Sequence, residues 1–181
     1  MSRSELVHRQ GKRAEAMVRT NWKVFEEDYW AINTTIQELL KNSNATSVLL
    51  LDKTGQLISS VGEQPEFDMH SFASLCAADF EANSQLAQLI GEKDFSTLYH
   101  QGSNESMYLA RVEQNIILVV LFDKRTTLGL VRLRTKKAVD NLETVIRQLY
   151  EKLEYENEEL TEFDEEFTNE AELEIDSLFS D

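Results

Sequence analysis

The residues of this chain best able to do chemistry are thinly spread. His8, His70 and His100 stand far apart, and none has a neighbour at the spacing with which a helix or turn holds a metal ion. Cys76 is the single cysteine. It falls on the apolar side of a helical pattern, where a thiol packs and stays unreactive. Carboxylates such as Glu26/Glu27 and Glu158/Glu159 are adjacent in sequence and so do not face each other on a helix; they read as solvated surface. No G-x-x-x-x-G-K-[ST] phosphate loop and no G-x-G-x-x-G is present. The sequence therefore predicts no catalytic residue, no metal and no cofactor.

The elements that would position a binding surface are well marked. Trp22, Phe25, Tyr29, Ile32, Ile36 and Leu39 step by threes and fours, the apolar stripe of an amphipathic helix, which Lys41-Asn-Ser-Asn44 ends. Ser47–Leu51 and Gln56–Val61 flank Asp52-Lys-Thr-Gly55 and predict a hairpin. After the only proline, Pro65, either Asp68 or Ser71 can cap a helix carrying Phe72, Leu75, Cys76, Phe80, Leu86 and Ile90, closed by Gly91. Three short strands follow, near Phe95–His100, Met107–Val112 and Ile116–Phe122. The last is apolar throughout, as a central strand covered on both faces must be. A final helix carries Leu128, Val131, Ala138, Leu142, Val145, Leu149 and Leu153, with Arg132, Arg134, Lys136 and Lys137 outside. The predicted class is α+β, an α/β sandwich of order α-β-β-α-β-β-β-α around one five-stranded antiparallel sheet.

Charge divides the chain. The formal net charge of the 181 residues is -15. Residues 1–150 hold 17 Lys+Arg against 19 Asp+Glu, a balance of -2; residues 151–181 hold one base against 14 acids, a balance of -13. The expected organisation is a helical extension over 1–21, a domain over 22–153 and an acidic tail over 154–181. Such a tail repels nucleic acid and anionic lipid. The stretch SRSELVHRQGKRAEA has no apolar core for a secretory signal, and no run of about 18 apolar residues is present to insert into a membrane. One cysteine forms no internal disulfide, so a reducing, cytoplasmic setting is expected.

The element order resembles the roadblock (dynein light chain) domain. Leu51-Asp-Lys-Thr-Gly-Gln-Leu-Ile-Ser59, Leu89-Ile-Gly-Glu-Lys-Asp-Phe95, the segment Phe122-Asp-Lys-Arg-Thr-Thr-Leu-Gly-Leu-Val-Arg-Leu-Arg134 and the ending Glu174-Ile-Asp-Ser-Leu-Phe-Ser-Asp181 are similar in particular to the MglB family of bacterial polarity and gliding-motility proteins. The resemblance implies a homodimer in which the third strand pairs with its copy through Ser96, Leu98 and His100, giving one continuous sheet. It implies that the paired second helices form a platform for one MglA-type small Ras-like GTPase, a two-to-one complex. On this sequence the platform would be Ala78, Glu81, Ala82 and Gln85, spaced i, i+3, i+4, i+7, with Phe72, Leu75, Cys76 and Leu86 pointing elsewhere. Ile175, Leu178 and Phe179, on one side of a terminal helical turn, would make a second GTPase contact that tunes nucleotide exchange. GTPase activation would proceed by positioning the partner's own catalytic groups, and the protein would be enriched at a cell pole; a non-stimulating roadblock scaffold is the alternative. Arg125 and Arg132 could in principle supply an arginine finger, but arginines at a helix start and on its exposed face more commonly just decorate it.

Overall fold

The computed structural model describes residues 26–64, 66–113 and 115–152. Five strands, β1 (Ser47–Asp52), β2 (Leu57–Gly62), β3 (Thr97–Gln101), β4 (Ser106–Glu113) and β5 (Ile116–Phe122), form one antiparallel sheet of order β2-β1-β5-β4-β3. The helices are α1, described from 26 to 43, α2 (Met69–Leu89) and α3, which begins at 128. The chain divides into two compact units, 1–145 and 146–181; helical residues 146–152 are the described part of the second.

The strand alternation decides which residues meet which helix. Leu49, Leu51, Leu109, Val119 and Leu121 point to the face on which α2 packs with Ala73, Cys76, Ala77 and Phe80. Val48, Leu50, Leu118 and Val120 are fully buried on the opposite face. There α1 contributes Ile32, Ile36 and Leu39, and α3 contributes Val131, Ala138 and Leu142. Asn33 Oδ1 accepts from Ser59 Oγ at 2.7 Å and joins α1 to β2 on that side. β5 is buried at every position, as a continuous apolar run in mid-sheet requires.

Local signals set the element ends. Asp68 caps α2 by accepting from the Ser71 N–H at 2.9 Å, and the Phe67 and Phe72 rings meet at 4.7 Å across that cap as a hydrophobic staple. At the other end Gly91 has φ +85°, its N–H donates to Gln88 O and that of Glu92 to Ala87 O. These two bonds satisfy carbonyls that a helix end otherwise leaves bare. In the β1–β2 turn Asp52 Oδ1 accepts from Thr54 N, Thr54 Oγ1 and Gln56 N at 2.7–2.9 Å.

These turns titrate. Partial burial opposes ionisation of Asp52, yet the bonds from Thr54, Gln56 and Gly55 outweigh it and hold its carboxyl below the ordinary 3.8. The hydroxyl and N–H of Ser71 hold Asp68 below the same value. A carboxyl with a lowered folded pKa binds its proton more readily when unfolded, so its stabilisation is present above the ordinary value and is lost as pH falls through the folded one. Thermal midpoints should stay flat from neutral pH down to about pH 5 and then fall, with the fall reduced in the Asp52→Asn/Asp68→Asn double variant. An equal fall in that variant would dismiss these two carboxylates as its source.

Expected core positions on two helices are corrected. Tyr29 is 54% exposed, because the stripe of α1 that meets the sheet runs through Ile32, Ile36 and Leu39, with Asp28 and not Tyr29 buried one turn earlier. The second correction, on α2, bears directly on function.

Candidate protein-docking surface

The sheet approaches α2 on the row Ala73, Cys76, Ala77, Phe80 and Ala87, all buried. Mostly small side chains there let the helix backbone lie close to β1. The turn at Gly55 reaches the α2 backbone itself: a Cβ on Gly55 would stand 2.5 Å from Ser74 Cα. Each residue advances about 100° around a helix, so the side opposite that row carries Leu75, Ala78, Ala82, Leu86 and Leu89. All five are exposed, Leu75 at 69%, Leu86 at 54% and Leu89 at 82%, and Ile90 beside them is exposed too. The expectation that Leu75, Leu86 and Ile90 join the core stripe is therefore overturned. The helix has two apolar rows, and the row able to approach the sheet closely is the one of small residues. The exposed row was legible as a Leu/Ala repeat at steps of three and four, but sequence alone does not say which row is buried.

Of the four expected platform positions, Ala78 and Ala82 lie in this row and Glu81 and Gln85 beside it. Ala78, Glu81, Ala82 and Gln85 are all exposed on α2, and Gln85 Nε2 donates to Glu81 Oε1 at 3.4 Å. An exposed apolar helix face flanked by polar residues marks a protein-docking surface.

The adjoining edge is β3, whose outer side has no strand partner among the described residues. An unpaired edge offers a row of backbone N–H and C=O groups. Leu98 is half-buried against the α2 core, and His100 is exposed. His100 Nε2 lies 2.7 Å from Asp79 Oδ2, and Asn83 Nδ2 donates to Asp79 Oδ1 at 3.1 Å. Edge strand and helix are thus tied into one surface. Ser96 precedes β3 instead of lying in it, and its carbonyl accepts from the Arg111 N–H at 2.9 Å. Ile175, Leu178 and Phe179 lie outside the described residues.

Arg111 is a positioning residue that the sequence did not single out, since one cation in a strand reads as surface. Its Nη1 donates to Asp94 Oδ2 at 2.5 Å, its Nη2 to Ser84 Oγ at 3.0 Å, and its guanidinium stands 5.3 Å from the centre of the Phe80 ring. It clamps β4 to the inner side of α2 and to the loop that leads into β3.

Cys76 lies under the same helix, with its thiol 3.8 Å from Met107 Sδ. Burial, reinforced by the charge of Asp79, pushes the thiol up to about 12. At pH 8 roughly one thiol in ten thousand is then thiolate, the reactive form. A thiol reagent at pH 8 should modify the native protein slowly and the denatured protein within minutes; fast native labelling would show that α2 lifts from the sheet.

Arg125 is committed elsewhere. Its Nε is 3.0 Å from both Asp123 oxygens, its Nη1 is 2.8 Å from Glu63 Oε1, and its carbonyl accepts from Asn44 Nδ2 at 2.9 Å. The Arg125 side chain holds the Asp123 carboxyl below its usual range, and Asp123 with Glu63 raises the guanidinium. Among the described residues no group of three or more His, Cys, Asp or Glu could hold a metal ion, and no helix is long and apolar enough to cross a membrane.

A five-stranded antiparallel sheet with α2 on one face and two helices on the other is the roadblock architecture. The roadblock/LC7 domain family matches residues 31–122, and the chain belongs to that family. Among solved structures it is similar to MglB of Myxococcus xanthus, at 46% identity and TM-score 0.65 over 67% of this chain and 91% of that one. It is similar also to the gliding protein MglB of Thermus thermophilus, at 27% identity and TM-score 0.63 over 67% of this chain and 92% of that one. Within the roadblock family this chain is MglB-like. A curated relative, an uncharacterised protein of Aquifex aeolicus, is 23% identical over 133 residues, 72% of this chain and 82% of that protein.

Proposed function

We propose that two copies associate through β3 and α2 and that the joined α2 faces hold one small Ras-like GTPase of the MglA type, whose GTP hydrolysis they accelerate. The observation that carries this reading is the exposed row Leu75, Ala78, Ala82, Leu86 and Leu89, continuous with the unpaired β3 edge. Small residues at 78 and 82 allow close helix approach, and the leucines on either side supply apolar area worth about 25 cal/mol per Å2 buried.

The protein acts as a regulator and not as an enzyme. Arg125, held by Asp123 and Glu63, is poorly placed to enter a partner's site. Stimulation then comes from selecting the GTPase conformation in which its own catalytic groups and the attacking water are aligned. Ile175, Leu178 and Phe179 add a second contact that adjusts nucleotide exchange. The setting is the cytoplasm, near a cell pole, in control of polarity and motility.

The test is GTP turnover by the cognate small GTPase with and without this protein, together with the mass of the complex. Faster turnover in a two-to-one complex is expected. Stable binding with unchanged turnover would replace activation by a scaffold role, and absence of binding would refute the docking surface.

A further inference from the structure

α3 carries charge for which the α2 and β3 surface has no use. Residues 124–139 hold six bases, Lys124, Arg125, Arg132, Arg134, Lys136 and Lys137, and no acid. Arg125 is paired with Asp123 and Glu63. The other five are exposed, and none has a carboxylate within salt-bridge distance among the described residues. Arg132, Leu133, Lys136 and Lys137 lie away from the buried side of α3, which is Val131, Thr135 and Ala138. Leu133 is 64% exposed in the middle of this patch. Arg132 and Lys136 are four apart on a helix, a spacing at which like charges repel.

The patch has a concave margin. Arg134, Lys137 and Asn141 of α3 face Glu38 and Asn42 of α1 around a hollow of about 40 Å3. That is room for a carboxylate group and not for a nucleotide. A guanidinium, an ammonium and two carboxamides can all donate to such a group, and the single Glu38 leaves the rim positive.

We propose that this face docks the acidic stretch 154–172 of a second copy of the chain. That stretch has ten acids and no base in 19 residues, and Leu160, Phe163 and Phe167 are interleaved with them to meet Leu133. Extended, it spans about 60 Å, against about 27 Å for α3 from 128 to 145. Along the same chain, Asp140 and Glu143 stand between the patch and this stretch and repel it, which favours the second copy. An anionic lipid surface is disfavoured, because the whole chain carries -15. α3 lies on the sheet face opposite α2, so association through α2 and β3 leaves the patch open.

Zero-length carbodiimide crosslinking of the full chain tests this, with ordinary and nitrogen-15 copies unfolded and refolded together in equal amounts. Peptides joining Lys136 or Lys137 to acids of 154–172 are expected, about half of them of mixed isotope as random pairing of copies gives, and their yield should drop in high salt. In Arg132→Glu/Arg134→Glu, which keeps both reporter lysines, the yield should fall about tenfold with the thermal midpoint little changed. No such peptides, same-isotope peptides alone, or an unaltered yield in the double variant would each overturn the proposal. Capture of these lysines by anionic vesicles in preference to the acidic stretch would do so as well.

Discussion

Ala82→Arg is expected to abolish capture of the GTPase, with at least about a hundredfold loss of affinity, and to leave the fold intact. Ala82 is exposed midway along the outward row of α2, with Leu75 and Ala78 before it and Leu86 and Leu89 after it. Loss of the close approach that alanine permits, and burial of an unpaired guanidinium in an apolar contact, each cost several kcal/mol. Neither cost applies to the free protomer, where the side chain extends into water, and surface changes of this kind stay within about 0.5 kcal/mol of stability. Titration of the partner by calorimetry, with the variant's thermal midpoint alongside, separates the two effects. Undiminished affinity would remove α2 from the docking surface. A variant that binds poorly because its copies no longer associate would show a halved mass before any partner is added, which would place Ala82 at the contact between copies.

Gly55→Ala should be among the most damaging exchanges of one small residue in the fold. Gly55 adopts φ +85°, and an added Cβ would meet Ser74 Cα at 2.5 Å, Ser74 N at 2.9 Å and Ala73 O at 3.2 Å, all of them backbone. A backbone helix cannot swing aside as a flexible side chain can. Left-handed strain of about 1–2 kcal/mol adds to an overpacking cost of about 1–3 kcal/mol, so about 3–4 kcal/mol should be lost. For a chain of this size that lowers the thermal midpoint by roughly 10 °C. Gly91→Ala is the comparison, because Gly91 also has φ +85° but a Cβ there meets nothing within 4 Å; it should lose only the strain, about 1 kcal/mol. Equal losses in the two variants would show that the β1–β2 turn does not brace α2. Because the proposed docking row lies on α2, Gly55→Ala should also weaken partner binding at temperatures where the domain is still folded.

Much of this architecture could be read from local pattern. The hairpin turn at Asp52–Gly55, the Asp68 cap, the Gly91 stop and the all-apolar β5 depend on side-chain bonds, left-handed backbone and strand alternation over a few residues, and the structure has all four. The gap between a near-neutral body and an acidic end is a matter of composition and needs no fold.

What local pattern left open was every choice between two neighbours in space. α2 has an apolar row on each side, and hydrophobicity favours burying either; the backbone contact at Gly55 admits only the row of small residues, so Leu75 and Leu86 face outward. Arg111 reads as a surface cation until the sheet order sets it against Phe80, Ser84 and Asp94, which are 17 to 31 residues away along the chain. Arg125 reads as a loop arginine with only the adjacent Asp123 for company until the end of β2 brings Glu63 to it from far back in the chain. The sequence by itself determined the elements, their order and where charge accumulates, because those follow from interactions along the chain. Only the tertiary structure decided which faces meet and which stay open to a partner, because close approach of one backbone to another depends on residues far apart in the chain.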